Sequence, residues 1–510
     1  MIKTRFAPSP TGFLHVGGLR TALYSYLFAR KNDGIFALRI EDTDRERFVE
    51  GGIENILSSL YWAGLKIDEG VDLDENGNII QKGDCGPYIQ SQRNEIYKKY
   101  ANQLLKDGHA YYCFCSKEHL EEARKIQELN KQPTIYNGEC RNLKPEESKK
   151  RIEEGELYVI RMKMPHEGLS KFCDQVHGNV EFKNELIDDQ VLVKSDGFPT
   201  YHLCNVIDDH FMGITNVMRG EEWLSSVPKH LVLYKMFGWE PPKFAHLSLL
   251  INKEKQKLSK RHGDVSVDDF KAKGYLPEAL LNFVAFLGWN PGDERELFTL
   301  AEMEKEFSLE RVGKPPAIFN LEKLDWYNKQ YMMKMELSEL TERAMPFFVN
   351  AGFDIGKIKD QRSKINGQDW LEKVVALEKE RANTLVELVE NVRFVFVDEL
   401  VYEPELLVWK KSDKEQTKQI LAKLSQFLST LTEDIWQNRG ELEKQIMDWI
   451  KVNNFGNGDV LWPMRVALSG QKNSPGPLEI AFVLGKNNTL KRIDFAVKIV
   501  IETVDGTVIL

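Results

Sequence analysis

A histidine just ahead of a glycine pair, and two lysines far downstream, are the parts of this chain best suited to chemistry on phosphate. His15, Gly17 and Gly18 stand in "PSPTGFLHVGG", at the start of the run "GLRTALYSYLFARK". A turn that opens a helix leaves backbone N–H groups without partners, and the helix dipole adds positive potential, so anions are attracted there. Glycines let a ligand approach the backbone, and a histidine beside them can donate to a phosphate oxygen. A turn histidine with no chemical role fits the same residues, because a short glycine motif is weak by itself. Lys257 and Lys260 lie in "KEKQKLSKRH", residues 253–262, which hold five Lys/Arg and one Glu. Such lysines can close over a triphosphate; a solvated basic loop is the plain alternative. The two signals together, in this order, weigh more than either alone.

The cysteines offer a second chemistry. Cys85, Cys113, Cys115, Cys140, Cys173 and Cys204 sit in a large chain with no export signal, which favours thiols or metal ligands over disulfides. Cys113 and Cys115 form a C-F-C pair, and 24 residues separate Cys115 from Cys140. Closely spaced cysteines of this kind usually mean metal.

The elements that must position these groups follow from periodicity. Residues 1–65 read β-turn-α-β-α: "IKTRFA" and "GIFALRIED" are strands, and "GGIENILSSLYWAGL" is a helix. In the helix "GLRTALYSYLFARK", apolar residues at 19, 22, 23, 26 and 27 make one face. Strands alternating with helices predict a parallel, doubly wound sheet. Residues 66–90, rich in Gly, Asp and Asn, read as a loop. Residues 92–200 read as an insertion into the first domain. Residues 200–250 return to apolar strand and amphipathic helix, the second half of the sheet. From about 330 the pattern is helical to the end, as in "TLVELVENVRFVF", "KEQTKQILAKLSQFLSTL" and "ELEKQIMDWIKVN".

At 510 residues the chain is too long for one core, and roughly three to five units are expected. A composition of 42% hydrophobic and 29% charged residues is that of an ordinary globular protein. The net charge of −9 argues against a nonspecific DNA coat but leaves room for a basic face that meets nucleic acid. No apolar run reaches the ~18 residues of a transmembrane helix, so no membrane partner and a cytoplasmic location are expected.

"HVGG" resembles the His-Ile-Gly-His signature of class I aminoacyl-tRNA synthetases, with Gly18 in place of the second histidine. "KLSKR" resembles their Lys-Met-Ser-Lys-Ser loop. With "RFAPSPTGFLHVGGLRTALYSYLFAR", "LRIEDTDRER" and "FPTYHLCNVIDDHFMGITNVMRGEEW", the chain is similar to bacterial-type glutamyl-tRNA synthetases through its first 330 residues, and more loosely beyond. The fold expected is α/β: a split Rossmann-type parallel sheet with an α+β insertion, followed by all-α C-terminal domains. The resemblance maps residues 1–91 and 201–252 onto the two catalytic halves. Residues 92–200 match the acceptor-stem-binding insertion, and 253–335 the stem-contact domain carrying "KLSKR". Residues 336–403 and 404–510 match two helical anticodon-binding domains.

The resemblance implies that ATP and L-glutamate form glutamyl adenylate, and that the glutamyl group then moves to the 3′ end of tRNA(Glu). Some relatives also charge tRNA(Gln), and both acceptors stay open. It implies ATP with Mg²⁺ as cofactors, a requirement for tRNA already at activation, and a monomer. His15, Lys257 and Lys260 are then catalytic. Gly17, Gly18, Glu222, Trp223, Leu250 and Leu258 join them at ATP. Arg5, Ser9, Glu41, Tyr201, Asn205 and Arg219 form the glutamate pocket, with Arg5 and Arg219 toward carboxylate oxygens and Glu41 toward the ammonium. Arg381 and Arg465 are candidates for tRNA contact. Some members bind Zn²⁺ through Cys-x-Cys and a later Cys-x-His. Here Asn142 replaces that histidine, whereas Tyr136 matches the Tyr-x-x-x-Cys of other members. The implied set is Cys113, Cys115, Tyr136 and Cys140, against cysteines left over from a lost site.

Three competing readings fit less well. Glutaminyl-tRNA synthetases carry a β-barrel C-terminal part and a different N-terminal turn. A truncated paralogue that glutamylates a tRNA base lacks the anticodon-binding part. A noncatalytic RNA-binding relative would not need His15, Lys257 and Lys260.

Overall fold

The computed structural model describes residues 1–258, 265–353, 367–410 and 412–500. It divides into two compact units: residues 1–272 with 277–324, and residues 273–276 with 325–510.

The first unit is built on an eight-stranded sheet. In chain order the strands of the unit are β1 (Lys3–Phe6), β2 (Ile35–Leu38), β3 (Glu69–Leu73), β4 (Ile79–Lys82), β5 (Ala110–Cys113), β6 (Val159–Met162), β7 (Leu169–Asp174), β8 (Gly178–Lys183), β9 (Val191–Val193), β10 (Asn216–Gly220), β11 (Lys243–Leu247), β12 (Leu250–Ile251) and β13 (Ala317–Ile318), the last two forming a small sheet of their own. The large sheet runs β4-β3-β2-β1-β10-β11-β7-β8, and β5-β6-β9 form a separate three-stranded sheet. Pairings from β3 to β7 are parallel, and only the outer β3–β4 and β7–β8 pairs are antiparallel. The mostly parallel sheet with helical crossovers matches the α/β class expected.

Helix α1 (Val16–Lys31) follows β1, as the apolar face at 19, 22, 23, 26 and 27 predicts; Leu19, Ala22, Leu23 and Leu27 are fully buried. Helix α2 (Gly52–Trp62) falls in the stretch read as a helix, and α3 (Asn94–Lys106) opens the 92–200 segment. The segment after residue 200 opens with a helix, Tyr201–Phe211, rather than with a strand; β10 follows it.

The stretch 66–90 is not a loop. It forms β3 and β4, joined by a tight turn in which Asp74 accepts backbone N–H groups of Asn76 and Asn78, and Gly77 takes φ +81°. The Asp, Asn and Gly residues mark the turn of a hairpin. The hairpin β7–β8 lies within the 92–200 segment, yet β7 pairs with β11 of the large sheet.

The second unit is helical, with no strand among its described residues. The helices Leu385–Asn391, Lys414–Thr430 and Arg439–Val452 correspond to the three periodic stretches seen in the sequence. The last helix, Pro477–Ile499, is broken at Gly485, which takes φ +74° and ψ 173°. No helix among the described residues is long and apolar enough to cross a membrane.

Candidate active site and cysteine cluster

Beside the first turn of α1 opens a cleft of about 920 Å³. It is lined by Arg5, Ser9, His15, Gly17, Gly18, Glu41, Tyr201, Arg219, Glu222, Trp223, Leu250, Lys257 and Leu258. Of the residues singled out for glutamate and ATP, two do not line it in the described structure: Asn205 is buried behind it, and Lys260 lies outside the described residues.

His15 is the N-cap of α1, and its Nδ1 accepts the Gly17 backbone N–H at 2.9 Å. A backbone N–H can only donate, so Nδ1 carries the lone pair and the neutral ring holds its proton on Nε2. Gly18 stands where the signature has a second histidine. A Cβ at that position would come within 2.9 Å of Leu14 Cδ1 and 3.7 Å of Phe6 Cζ, so packing already fills that space. Lys257 Nζ lies 4.0 Å from Glu222 Oε1. The Leu258 N–H donates to Leu250 O at 2.9 Å, fixing the start of the lysine loop against the strand before it.

Arg219 leaves β10 and donates through Nη1 to Tyr201 Oη at 2.7 Å and through Nε to His246 Nε2 at 3.1 Å. Tyr201 packs on Trp223 with ring centroids 4.3 Å apart. Arg5, from β1, donates to Asn205 Oδ1 at 3.1 Å and to Asp209 Oδ1 at 3.3 Å.

Behind these residues lies a charge network that sequence reasoning missed. Arg39 donates to Glu41 Oε1 at 2.9 Å and to Asp209 Oδ1 at 2.7 Å. Arg93 donates to Asp208 Oδ1 at 2.7 Å, and Gln90 and Tyr97 also donate to Asp208. Arg5, Arg39 and Arg93 thus face Glu41, Asp208 and Asp209, all buried, so the charges balance. Burial raises the pKa of Glu41, opposed by Arg39 and then Arg5. Asp209 is also penalised by burial, but Arg5 and Arg39 hold it below the ordinary carboxylate range. The available signal was "NVIDDHF": adjacent acidic residues inside an apolar helical stretch are rarely left unpaired.

The cysteine cluster forms elsewhere in the unit. Cys113 ends β5, Cys115 follows it, and the Sγ atoms of Cys113, Cys115 and Cys140 lie within 4.8 Å of one another. Cys115 and Cys140 Sγ are 3.6 Å apart, and Tyr136 Oη lies 3.4 Å from Cys113 Sγ and 3.6 Å from Cys115 Sγ. Four donors around a tetrahedral ion with ~2.3 Å bonds to sulfur would sit about 3.8 Å apart. The spacing therefore fits such an ion. The contact with Cys140, set against burial, draws the Cys113 thiol down to about 4. The guanidinium carbon of Arg161 lies 4.1 Å from the centre of the Tyr136 ring, adding positive charge beside these donors. The alternative donors His119 and Glu139, beside Cys115, are exposed and pair with each other at 2.8 Å.

In the helical unit, Arg381 pairs with Glu378 at 3.2 Å, and Arg465 donates to Ser474 O at 3.1 Å. Burial lowers the Arg465 pKa, and the Arg381 charge adds to this.

Comparison with known proteins bears on the whole chain. The family model "tRNA synthetases class I (E and Q), catalytic domain" matches residues 1–326, and "Anticodon binding domain" matches 339–497. The glutamate–tRNA ligase of Clostridioides difficile (strain 630) is 45% identical over 498 residues, covering 97% of this chain and 98% of that protein. The glutamate–tRNA ligase of Treponema denticola is 44% identical over 512 residues, covering 97% and 99%. Among solved structures, a glutamate–tRNA ligase from Elizabethkingia meningosepticum, in complex with its amino acid, superposes with TM-score 0.83 at 37% identity, covering 98% of this chain and 99% of that one. The glutamate–tRNA synthetase of Elizabethkingia anophelis gives TM-score 0.82 at 36% identity, covering 98% and 99%. Similarity of this depth across both units, joined to a cleft lined from separate stretches of sequence, means that the chain belongs to the class I glutamate–tRNA ligase family.

Proposed function

We propose that this cleft activates L-glutamate with ATP and passes the glutamyl group to the 3′ end of tRNA(Glu). One observation carries the reading: Arg5, Glu41, Tyr201 and Arg219 line the same cleft as His15, Gly17 and Lys257, although they come from distant stretches.

Activation is an in-line attack of the α-carboxylate on the α-phosphate, and pyrophosphate leaves. Catalysis then rests on positioning and on cations placed where charge develops. His15 Nε2–H and the Gly18 backbone N–H donate to phosphate oxygens, while the Gly17 N–H holds the His15 ring in place. Lys257 and Lys260 stabilise the pyrophosphate, and Mg²⁺ travels with the nucleotide as its counter-ion. Arg219 and Arg5 meet carboxylate oxygens, and Glu41, paired with Arg39, takes the ammonium. With glutamine, which offers a neutral amide, Arg219 would lose a charge-assisted bond worth about 1.5–3 kcal/mol.

Residues 92–200 would hold the acceptor stem, and the helical unit would read the anticodon with Arg381 and Arg465 as contacts. Unstacked bases are where polar side chains read RNA sequence best. Cys113, Cys115, Cys140 and Tyr136 would hold Zn²⁺, which supplies a structural cross-link when bound.

ATP–pyrophosphate exchange, measured with glutamate or glutamine and with or without tRNA(Glu), tests this. Exchange with glutamate only when tRNA is present is expected. Exchange driven by glutamine, or none at all, would reject it.

A further inference from the structure

Arg219 is held from behind by a buried relay that no part of the activation chemistry uses. Arg219 and His246 are register partners on β10 and β11. Arg219 Nε donates to His246 Nε2 at 3.1 Å, and His246 Nδ1 lies 2.6 Å from Asp174 Oδ2. All three are buried, His246 completely. Asp174 Oδ1 accepts the backbone N–H groups of Val176 and His177, each at 2.9 Å, and of His246 at 3.3 Å.

The directions of these bonds are fixed by chemistry. A guanidinium has donors only, so His246 Nε2 must present its lone pair. The ring proton then sits on Nδ1 and is donated to Asp174. Asp174, already accepting three N–H groups, stays a carboxylate. Asp174 thus selects the tautomer of His246, and that tautomer is the one able to receive Arg219. Tyr201 takes Nη1 of the same guanidinium. Nη2 makes a longer contact with Trp223 O at 3.4 Å, and with Nε and Nη1 both tied the plane of the fork is set before any ligand arrives. A planar fork held in one orientation meets both oxygens of a carboxylate with charge-assisted bonds, which an amide cannot match because its nitrogen is itself a donor.

We propose that His246 and Asp174 are positioning residues that orient Arg219 for a side-chain carboxylate and so set the preference for glutamate over glutamine. The proposal rests on the reading of Arg219 as the carboxylate partner. It also gives the β7–β8 hairpin a role in the pocket, because Asp174 is the last residue of β7.

Asp174→Asn makes the sharpest test. Its amide nitrogen would donate to His246 Nδ1 and move the ring proton to Nε2, setting a donor against Arg219 Nε. His246→Gln keeps an acceptor that can reach Arg219, whereas His246→Asn is too short to do so. Steady-state kinetics with saturating tRNA(Glu), together with melting curves, should show KM for glutamate raised about tenfold or more in Asp174→Asn and His246→Asn. KM for ATP should stay within about twofold, the glutamate-over-glutamine ratio should fall, and His246→Gln should recover most of the loss. Normal glutamate KM and discrimination in folded Asp174→Asn and His246→Asn would overturn the proposal. So would equal rises in KM for glutamate and ATP. Arg219→Leu serves as the separate control. If it leaves glutamate KM unchanged, the pocket assignment itself falls and the proposal with it. If it raises KM while the two relay variants stay normal, the proposal alone falls.

Discussion

Gly17 donates its backbone N–H to Nδ1 of His15, two residues earlier, across 2.9 Å. One side chain therefore caps a helix and sets its own tautomer. The two roles separate by substitution. His15→Asn keeps a capping acceptor but lacks an Nε2 donor. It should melt within about 0.5 kcal/mol of the parent, while ATP–pyrophosphate exchange falls roughly 100-fold. His15→Ala should lose the rate and about 1 kcal/mol of stability as well. An active His15→Asn would remove the phosphate role.

Lys257 and Glu222 are 4.0 Å apart with side chains 63% and 47% exposed. An exposed pair of this kind adds under about 1 kcal/mol to stability. Lys257→Ala should therefore leave the melting temperature essentially unchanged and lower the activation rate by an order of magnitude or more. Lys260→Ala should act in the same direction with glutamate binding largely intact. Near-normal exchange in the presence of tRNA would end the assignment.

Arg39 lies between Glu41 and Asp209 with side chains almost wholly removed from water. Arg39→Met would take the paired guanidinium from buried Glu41 and leave Asp209 with Arg5 alone, and breaking such a pair costs about 3–5 kcal/mol. Urea unfolding of the full chain, followed by a probe in the first unit, should show a loss of that size. A loss below about 1 kcal/mol would show that the network is not held by this guanidinium.

His202 Nδ1 and His230 Nε2 lie 3.1 Å apart. Burial lowers both pKa values, with the charges of Lys229 and Arg219 adding to it, and His202 falls to about 3. In the unfolded chain both titrate near ~6.5. Between about pH 6.5 and 3 the unfolded state binds more protons, so stability falls as pH falls, by up to ~1.4 kcal/mol per pH unit for each histidine. Above about pH 6.5 neither contributes. Unfolding midpoints at pH 7.5 and 5.5 should diverge less in His202→Gln than in the parent; equal divergence would refute the account.

Elemental analysis of purified protein should find about one equivalent of zinc, lost in Cys140→Ser. Less than about a tenth of an equivalent in the parent would mean that the cysteine cluster is metal-free.

Chemistry carried by short local patterns was legible in the sequence. "HVGG" put His15 at a helix start, and "CFC" with Cys140 marked thiols that do converge, whereas Tyr136 came only from the family resemblance. Choices of strand partner were not. Nothing local to "LSKFCD" says that it will pair with β11, because its neighbour lies far along the chain. Buried charge was also hidden. Arg39, Asp208 and Asp209 read as ordinary polar residues until β2, α3 and the helix at Tyr201–Phe211 bring opposite charges together. The β3–β4 hairpin was missed because its turn residues outweighed two short, partly charged strands.

The place of β1 in the large sheet has a consequence for biosynthesis. Its pairing with β10 sets Thr4 beside Asn216, 212 positions on, and β7, which pairs with β11, lies between them in the chain. At ~5–20 residues per second, the first strand leaves the ribosome roughly 10–40 s before β10, its second neighbour, exists. Until then β1 presents an unpaired edge carrying Arg5, and the first half of the nascent chain depends on β2 and α1 to shield it. Co-translational association with chaperones should concentrate in that interval.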